Sequence, residues 1–252
     1  MGVALVTGAQ RGMGRAIALA LADEGFDVAA VDLELNAALE DTVAALRQKN
    51  VKAVGLACNI GAVDTHEDVL DQAQEALGPL TTLVNNAGVS VKTRGDLLDV
   101  TPESYDHCLN INTRGTFFLT QAFARRVRDT VTPCHRAIIT VTSANATAVS
   151  IARGEYCISK AGASMMSRLF AARLSDEDIG VYEIQPGFID TDMVAPSKAK
   201  YDALIAGGLT VIKRFGTPQE VARIAVTLAT GLLPYTSGQA IQADGGLLTV
   251  RY

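Results

Sequence analysis

Three polar side chains in the middle of the sequence have the types and the spacing of a proton-transfer site. Tyr156 and Lys160 are four residues apart, and Ser143 precedes Tyr156 by thirteen residues. Positions i and i+4 of a helix share one face, so the phenol and the ammonium are expected side by side. A free phenol titrates near ~10, and an adjacent positive charge favours its phenolate. Tyr156 is therefore the candidate proton donor or acceptor, and Lys160 is expected to make its phenol more acidic.

Ser143 follows an apolar, strand-like run over residues 137–142. This position predicts a hydroxyl at the carboxyl edge of a parallel sheet, where such sheets bind ligands. Its expected role is to hydrogen-bond a substrate oxygen on which charge develops. Taken singly, Tyr156 could be a packing residue, Lys160 a solvated cation and Ser143 a strand-end cap. Their coincidence with a nucleotide signal favours catalysis.

The nucleotide signal is a glycine-rich turn near the start of the chain. An apolar run over residues 3–6 leads into the turn at residues 7–14, and apolar residues at helical spacing follow it. This pattern predicts a strand, a tight turn and a helix. Glycines let the backbone approach a pyrophosphate, and the helix N-terminus offers N–H groups to the anion. The turn residues expected to contact a dinucleotide are Gly8, Arg11, Gly12, Met13 and Gly14.

Asp32 predicts which dinucleotide is used. It ends a second apolar run, eighteen residues beyond Gly14, where a carboxylate can accept hydrogen bonds from both hydroxyls of an adenosine ribose. Arg11 is the opposing signal, because a cation in the turn could meet the 2′-phosphate of NADP. Asp32 is given more weight, since a phosphate dianion beside a carboxylate would be repelled. NAD(H) is therefore the preferred cofactor, and NADP(H) is possible.

Together these motifs resemble the short-chain dehydrogenase/reductase family, and the resemblance covers essentially the whole chain. The sequence has the family's Thr-Gly-x-x-x-Gly-x-Gly turn at residues 7–14 and its Asn-Asn-Ala-Gly segment at residues 85–88. The resemblance implies that Tyr156 and Lys160 also bind the cofactor, and that Asn112 is a fourth catalytic residue, which with Lys160 holds a water chain for proton relay. The further cofactor-binding positions that it implies are Asn59, Ile60, Asn86, Ala87, Gly88, Pro186, Gly187, Ile189 and Thr191.

Apolar runs and helix signals alternate along the chain and predict one α/β domain over residues 1–252. The expected fold is a Rossmann-like, doubly wound parallel sheet of about seven strands with helices on both faces. The strand candidates are residues 3–7, 28–32, 53–57, 82–85, 137–142, 181–185 and 240–243. Helix starts are predicted at Thr101-Pro102 and at capping-box patterns over residues 64–67 and 217–220. The irregular segment near residues 190–209 is expected to be a mobile lid over the substrate.

Composition excludes several other classes of protein. The chain is 48% hydrophobic and 19% charged with a net charge of −5, so a basic surface for nucleic acid is not expected. No apolar run reaches the ~18 residues of a membrane span, and no signal-peptide pattern opens the chain, which predicts a soluble, cytoplasmic protein. Four cysteines and three histidines lack metal-ligand spacing, so free thiols and no metal site are expected.

The expected substrate is a small ketone or secondary alcohol. The pattern most resembles the 3-oxoacyl-[acyl-carrier-protein] reductase branch of the family. Two features depart from that branch: Asp32 favours NAD where the branch is typically NADP-linked, and residues 176–178 are acidic where such enzymes often carry a basic residue for the acidic carrier protein. An NAD-dependent sugar or polyol dehydrogenase is therefore the alternative. The pocket is expected between residues 90–94 and 145–155, with Phe188 and Met193.

Two other classes of protein fit the sequence less well. A non-catalytic regulator that senses the redox state of a dinucleotide would not need Ser143, Tyr156 and Lys160 together. A methyltransferase would give no role to the Asn-Asn-Ala-Gly segment or to the Tyr-Lys pair. The resemblance also implies a homo-oligomer, either a tetramer or a dimer, with contacts from the apolar helices around Phe117-Phe118 and over residues 161–174.

Overall fold

The fold is described by a computed structural model that covers residues 2–195 and 198–250. Within those residues, seven strands form one parallel sheet in the order β3-β2-β1-β4-β5-β6-β7. The strands are β1 (Val3–Thr7), β2 (Asp27–Asp32), β3 (Ala53–Ala57), β4 (Thr82–Asn85), β5 (Arg136–Val141), β6 (Ile179–Pro186) and β7 (Ala240–Ala243). The predicted sheet is confirmed, and each predicted strand boundary falls within two residues of the observed one.

Helices cover both faces of the sheet, as predicted. The helices are α1 (Gly12–Asp23), α2 (Ala37–Arg47), α3 (His66–Leu77), α4 (Pro102–Leu109), α5 (Thr116–Val127), α6 (Gly154–Arg173), α7 (Lys198–Ala206) and α8 (Pro218–Ala229). One hydrophobic core joins α1, α2 and α8 to the sheet, and a second joins α3, α5 and α6 to the opposite face. Because both faces are covered, strands such as β1 are apolar throughout rather than alternating.

Strand β1 shows how the two cores share one strand. Ala4 and Val6 belong to the first core, whereas Val3 and Leu5 belong to the second. Successive side chains of a strand point to opposite faces, so four consecutive apolar residues serve both cores. At the carboxyl end of the strand, Thr7 turns into the glycine-rich segment that leads to α1.

All three predicted helix starts are confirmed, and two of them have side-chain caps. Thr217 and Glu220 form the reciprocal capping box of α8, and the Thr101 side chain accepts a hydrogen bond from the Ser104 N–H at the start of α4. Helix α3 begins at His66, within the predicted residues 64–67, but without the predicted capping box. Thr65 already has helical backbone angles at the end of a 3₁₀ turn, and its hydroxyl donates to the Ala62 carbonyl instead of capping α3.

The predicted lid segment is more regular than the sequence indicated. Half of its described residues form α7, which packs on the loop after β6 through Tyr201, whose ring centroid lies 4.5 Å from that of Phe188. The mobility of the segment stays a prediction. Five residues that the predicted domain or lid includes lie outside the described residues: Met1, Pro196, Ser197, Arg251 and Tyr252.

Candidate active site

A cleft of about 620 Å³ opens at the carboxyl edge of the sheet, over β1, β2 and β4. Segments that are far apart in the sequence form its wall, since parallel strands bring their carboxyl ends to one edge. Twelve residues predicted to bind a cofactor line it: Gly8, Arg11, Gly12, Met13, Gly14, Asp32, Asn59, Ile60, Asn86, Ala87, Gly88 and Thr191. Sequence reasoning missed other wall residues, among them Leu33, Cys58 and Ile111.

The glycine-rich turn packs tightly on itself and on the end of β4. Gly8 has a φ of +68°, and a Cβ added to Gly14 would lie 2.0 Å from the Gly8 carbonyl oxygen. Only glycine therefore fits these two positions without strain. The Asn86 amide donates to the carbonyls of Thr7 (2.9 Å) and Gly8 (3.2 Å), which fixes the turn against the end of β4. Because α1 begins at Gly12, the helix N-terminus faces the cleft, an arrangement that suits a pyrophosphate.

Asp32 is held at the end of β2 by the backbone around it. Its Oδ2 accepts from the Gln10 N–H at 3.0 Å, and its Oδ1 accepts from the Leu33 N–H at 2.8 Å. Each carboxylate oxygen keeps a further lone pair for a ribose hydroxyl. The Arg11 guanidinium lies 3.8 Å from the carboxylate of Asp192, which also lines the cleft. Both of these side chains are mostly exposed, so the ion pair contributes little to stability.

Three predicted cofactor contacts after β6 do not line the cleft. Gly187 donates to the Ala243 carbonyl, and a Cβ there would lie 2.7 Å from the Asp244 backbone. Ile189 is buried in the first hydrophobic core, and Pro186 is the last residue of β6. These residues hold the loop in place, and Thr191 is the predicted residue of this loop that reaches the cleft wall.

Tyr156 and Lys160 lie on α6 as the spacing predicted, and Ser143 lies just beyond β5. The Lys160 Nζ is 5.8 Å from the centroid of the Tyr156 ring and donates to the Val141 carbonyl at 3.2 Å. A Cβ added to Gly88 would lie 3.4 Å from the Lys160 Nζ, so the ammonium borders the cofactor cleft. The Ser143 hydroxyl oxygen accepts from the Asn145 N–H at 3.1 Å, which leaves its own proton to donate.

Asn112 ties the loop after β4 to α6. It is 2% exposed and lies on a π-helical turn, Asn110–Gly115, that joins α4 to α5. Its side chain accepts from the Val89 N–H (2.8 Å) and donates to the Val89 carbonyl (2.9 Å) and to the Ser159 hydroxyl (2.9 Å). Single π-helical turns inside helices are frequent at functional sites. Asn112 therefore braces the segment that carries Lys160, and its role with a water chain stays a prediction.

Burial opposes ionisation of the Tyr156 phenol. It raises the pKa of Tyr156, and hydrogen bonding with Ser143 and the charge of Arg153 act against that rise. Burial also lowers the pKa of Lys160 to about 8, opposed by the carboxylate of Glu183. Desolvation disfavours the charged forms of both side chains, and the expected effect of Lys160 on the acidity of the phenol stays a prediction.

Two further charged residues lie beside this site. Arg153 belongs to the segment expected to bound the pocket, and its guanidinium lies over the Tyr156 ring, 5.2 Å from the ring centroid. Glu183 on β6, which the sequence did not predict, is 1% exposed and accepts hydrogen bonds from the hydroxyls of Thr142 and Ser164. The available signal for Glu183 was a single carboxylate inside a buried, mostly apolar strand.

Other expectations concern features away from the cleft. The four cysteines all lie in the described chain and are free thiols. Among the described residues, no group of His, Cys, Asp and Glu side chains is arranged to hold a metal ion. In the same part of the chain, no helix has both the length and the apolar character that crossing a bilayer requires.

Comparisons with known proteins place the chain in a family. A family model described as Enoyl-(Acyl carrier protein) reductase matches residues 8–248. The chain is 33% identical over 249 residues to the 3-oxoacyl-[acyl-carrier-protein] reductase of Thermotoga maritima. The aligned region covers 98% of this chain and 97% of that protein. It is 32% identical over 256 residues to a versicolorin reductase of Emericella nidulans, with 97% and 94% coverage.

A solved structure agrees with these relatives. The crystal structure of a 3-oxoacyl-[acyl-carrier protein] reductase from Brucella melitensis in complex with NAD is similar with a TM-score of 0.96 and 41% identity, covering 100% of this chain and 98% of that one. The chain belongs to the short-chain dehydrogenase/reductase family, and it is an NAD(P)-dependent oxidoreductase that acts on CH–OH groups.

Proposed function

We propose that the protein interconverts a 3-oxoacyl thioester and its secondary alcohol, with NAD(H) as the preferred cofactor. The observation that carries the reaction type is the position of the Lys160 Nζ, which lies 5.8 Å from the centroid of the Tyr156 ring and beside Gly88 in the wall of the cofactor cleft. A proton-transfer group next to a dinucleotide site suits the exchange of a hydride and a proton. The complex of the Brucella melitensis enzyme with NAD supports the choice of cofactor.

Each side chain has a defined role in this reaction. The Ser143 hydroxyl donates a hydrogen bond to the substrate oxygen and orients it. In alcohol oxidation the Tyr156 phenolate accepts the hydroxyl proton, and in ketone reduction the phenol returns it. Lys160 supplies a positive charge on the side of the cleft. A nicotinamide dinucleotide held in the cleft would supply or take up the hydride.

An apolar rim supports an acyl substrate. Leu97, Leu98, Val149 and Ile151 are 49%, 91%, 88% and 67% exposed. Leu97 packs against the start of α6, since a Cβ at Gly154 would lie 2.2 Å from the Leu97 Cδ1. These side chains therefore flank the helix turn that carries the candidate proton-transfer group. An acyl chain lying on them would bury apolar surface at about 25 cal/mol per Å².

A sugar or polyol remains the second candidate substrate. The Asn145 and Arg153 side chains are hydrogen-bonded to each other at 2.7 Å near the proposed pocket and could bind hydroxyl groups. The acidic residues Asp176, Glu177 and Asp178 precede β6, at the sheet edge opposite Ser143. Within one chain they provide no cationic surface for an acidic carrier protein, which favours a small substrate. A non-catalytic dinucleotide sensor would leave the complete proton-transfer set without a role.

Tyr156→Phe tests the reaction type. We expect this variant to lose turnover by at least about a hundredfold, because proton transfer contributes on the order of 10² to 10⁴. NAD affinity, measured by fluorescence titration, should stay nearly unchanged. Secondary alcohols and ketones, including acyl thioesters and polyols, are assayed with each nicotinamide cofactor to identify the substrate. Turnover at the wild-type rate in Tyr156→Phe would refute the reaction proposed here.

We further propose that the protein is a homo-oligomer and that residues 190–209 act as a lid. The lid is supported by Thr191, whose Cγ2 would lie 3.5 Å from a Cβ added to Gly12, and by the pairing of Asp192 with Arg11 across the cleft. Loops that close over a bound substrate exclude water from the reaction. The cytoplasmic location stays a prediction.

A further inference from the structure

Three residues, Arg153, Asn145 and Ser143, form a chain of contacts beside the phenol of Tyr156. The Arg153 guanidinium lies over the Tyr156 ring at 5.2 Å, and its Nη2 donates to the Asn145 Oδ1 at 2.7 Å. The Asn145 N–H donates to the Ser143 hydroxyl oxygen at 3.1 Å, and Ser143 and Arg153 both act to lower the pKa of the phenol. Arg153 is therefore fixed to the candidate catalytic side chains through two independent contacts.

The surroundings of Arg153 strengthen the effect of its charge on the phenol of Tyr156. The side chain is only partly exposed, and its Nε is buried without a hydrogen-bond partner. A cation that is partly removed from water is less screened than a solvated one. It lies over the face of an aromatic ring, where the negative ring quadrupole attracts it. Ionisation of the phenol adds a full negative charge to the same ring and strengthens this attraction.

Other charged or titratable groups also face the phenol. Lys160 lies 5.8 Å from the ring centroid, slightly farther than Arg153, and donates to the Val141 carbonyl. The thiols of Cys157 on α6 and Cys108 on α4 would oppose the phenolate if they were ionised. Of these groups, the two cations favour the phenolate, and the guanidinium lies closer to the ring.

We propose that Arg153 is a positioning residue of the active site that, through Tyr156, stabilises the phenolate form of the proton-transfer group. Lys160 and Arg153 then both stabilise the phenolate, a role that the spacing of the sequence assigns to Lys160 alone. Arg153 retains its charge at any pH at which the enzyme is stable, whereas burial lowers the pKa of Lys160 to about 8. The inference rests on the proposed function, because it assigns a role in proton transfer.

The pH dependence of alcohol oxidation tests this role. With saturating NAD⁺, kcat/KM rises with pH as Tyr156 loses its proton, and the midpoint reports that ionisation. An opposite charge at ~4–6 Å lowers a pKa, so Arg153→Gln should move the midpoint upward by about one pH unit. Below the midpoint, kcat/KM should then fall about tenfold. Arg153→Lys keeps the charge, so its midpoint should lie close to that of wild type.

A matched control removes the same charge from α6 at a distance from Tyr156. Arg168 is exposed on α6, twelve residues from Tyr156 and therefore ~18 Å away along the helix axis. Arg168→Gln should leave the midpoint unchanged. The ultraviolet absorbance of the phenolate, taken as the difference between wild type and Tyr156→Phe with NAD⁺ bound, gives a second titration without substrate. Arg153→Gln should raise that midpoint by a similar amount.

The outcomes separate this inference from the proposed function. If Tyr156→Phe turns over normally, the proposed function fails, whatever Arg153 does. If Tyr156→Phe is inactive but Arg153→Gln lowers kcat/KM by one factor at every pH, Arg153 only shapes the pocket and the inference is overturned. Circular dichroism of each variant confirms that a lost signal does not reflect an unfolded protein.

Discussion

At the scale of single residues, Asp32 is the clearest determinant of cofactor choice. Backbone N–H groups of Gln10 and Leu33 hold its carboxylate at the end of β2, in the wall of the cleft. The side chain of Arg11, which would favour NADP, is paired with Asp192 across the cleft. The carboxylate is therefore oriented before any ligand binds, while the arginine would have to leave an ion pair to meet a 2′-phosphate.

We predict that Asp32→Ala improves the use of NADP relative to NAD by at least about tenfold. The variant loses charge-assisted hydrogen bonds to the ribose, worth about 1.5–3 kcal/mol each, and removes the repulsion of a 2′-phosphate. The measurement is kcat/KM and Kd with each cofactor. Asp41→Ala, an exposed carboxylate on α2, is the control and should change neither ratio. A wild type that already prefers NADP would show that Arg11 decides the choice.

The sequence predicts catalytic residues well where a regular helix spaces them. Tyr156 and Lys160 share a face of α6 because both lie inside it. Arg153 precedes the helix with φ and ψ of −151° and 44°, so helical periodicity gives no direction for its side chain. The net shift in the pKa of the phenol could not be predicted either, since it depends on how deeply α6 buries that side chain.

At the scale of secondary-structure elements, Glu183 connects β5, β6 and α6 behind the active site. Its Oε1 accepts from the Thr142 hydroxyl at 2.5 Å, and its Oε2 accepts from the Ser164 hydroxyl at 2.8 Å. Thr142 directly precedes Ser143, and Ser164 lies one helical turn after Lys160. One buried carboxylate therefore joins the strand end that carries the serine to the helix that carries the lysine.

We predict that Glu183→Gln lowers the free energy of unfolding by about 1–3 kcal/mol. The amide that replaces the carboxylate cannot accept from Thr142, Ser164 and Gln185 together, so one buried donor is left without a partner. Denaturant unfolding measures the change. Glu75→Gln, on the exposed side of α3, is the control. Equal stability of Glu183→Gln and wild type would contradict the bracing role.

Regular elements are more predictable than interruptions of them. Each strand is an apolar run that the two cores bury on both faces, so its position is evident in the sequence. The π-helical turn Asn110–Gly115 is not evident, because it adds one residue to a turn within a helical run and leaves no composition signal. Asn112 was predicted from a family resemblance, and its bonds to Val89 and Ser159 depend on that widened turn.

At the scale of the whole molecule, one face of α6 has apolar side chains in solvent. Ile158, Met165 and Leu169 are 50%, 51% and 58% exposed and recur at intervals of seven and four residues. That spacing places them on one helix face. An apolar stripe of this kind on a surface helix commonly marks a protein–protein interface. It supports the proposed homo-oligomer.

We predict that Leu169→Glu reduces the oligomeric state of the protein. A charge placed in a buried apolar contact loses its hydration, which weakens association. Sedimentation velocity over a range of concentrations measures the assembly. Val131→Glu replaces an apolar residue that is fully exposed elsewhere and should leave the assembly unchanged. A monomeric wild type at every concentration would contradict the prediction.

The order of the strands places the cleft wall and the candidate proton-transfer residues on different segments of the chain. No described residue between 112 and 190 lines the cofactor cleft, yet Ser143, Tyr156 and Lys160 all come from that interval. Exchanges around Asp32 can therefore alter the dinucleotide that is used while the side chains that transfer the proton stay the same.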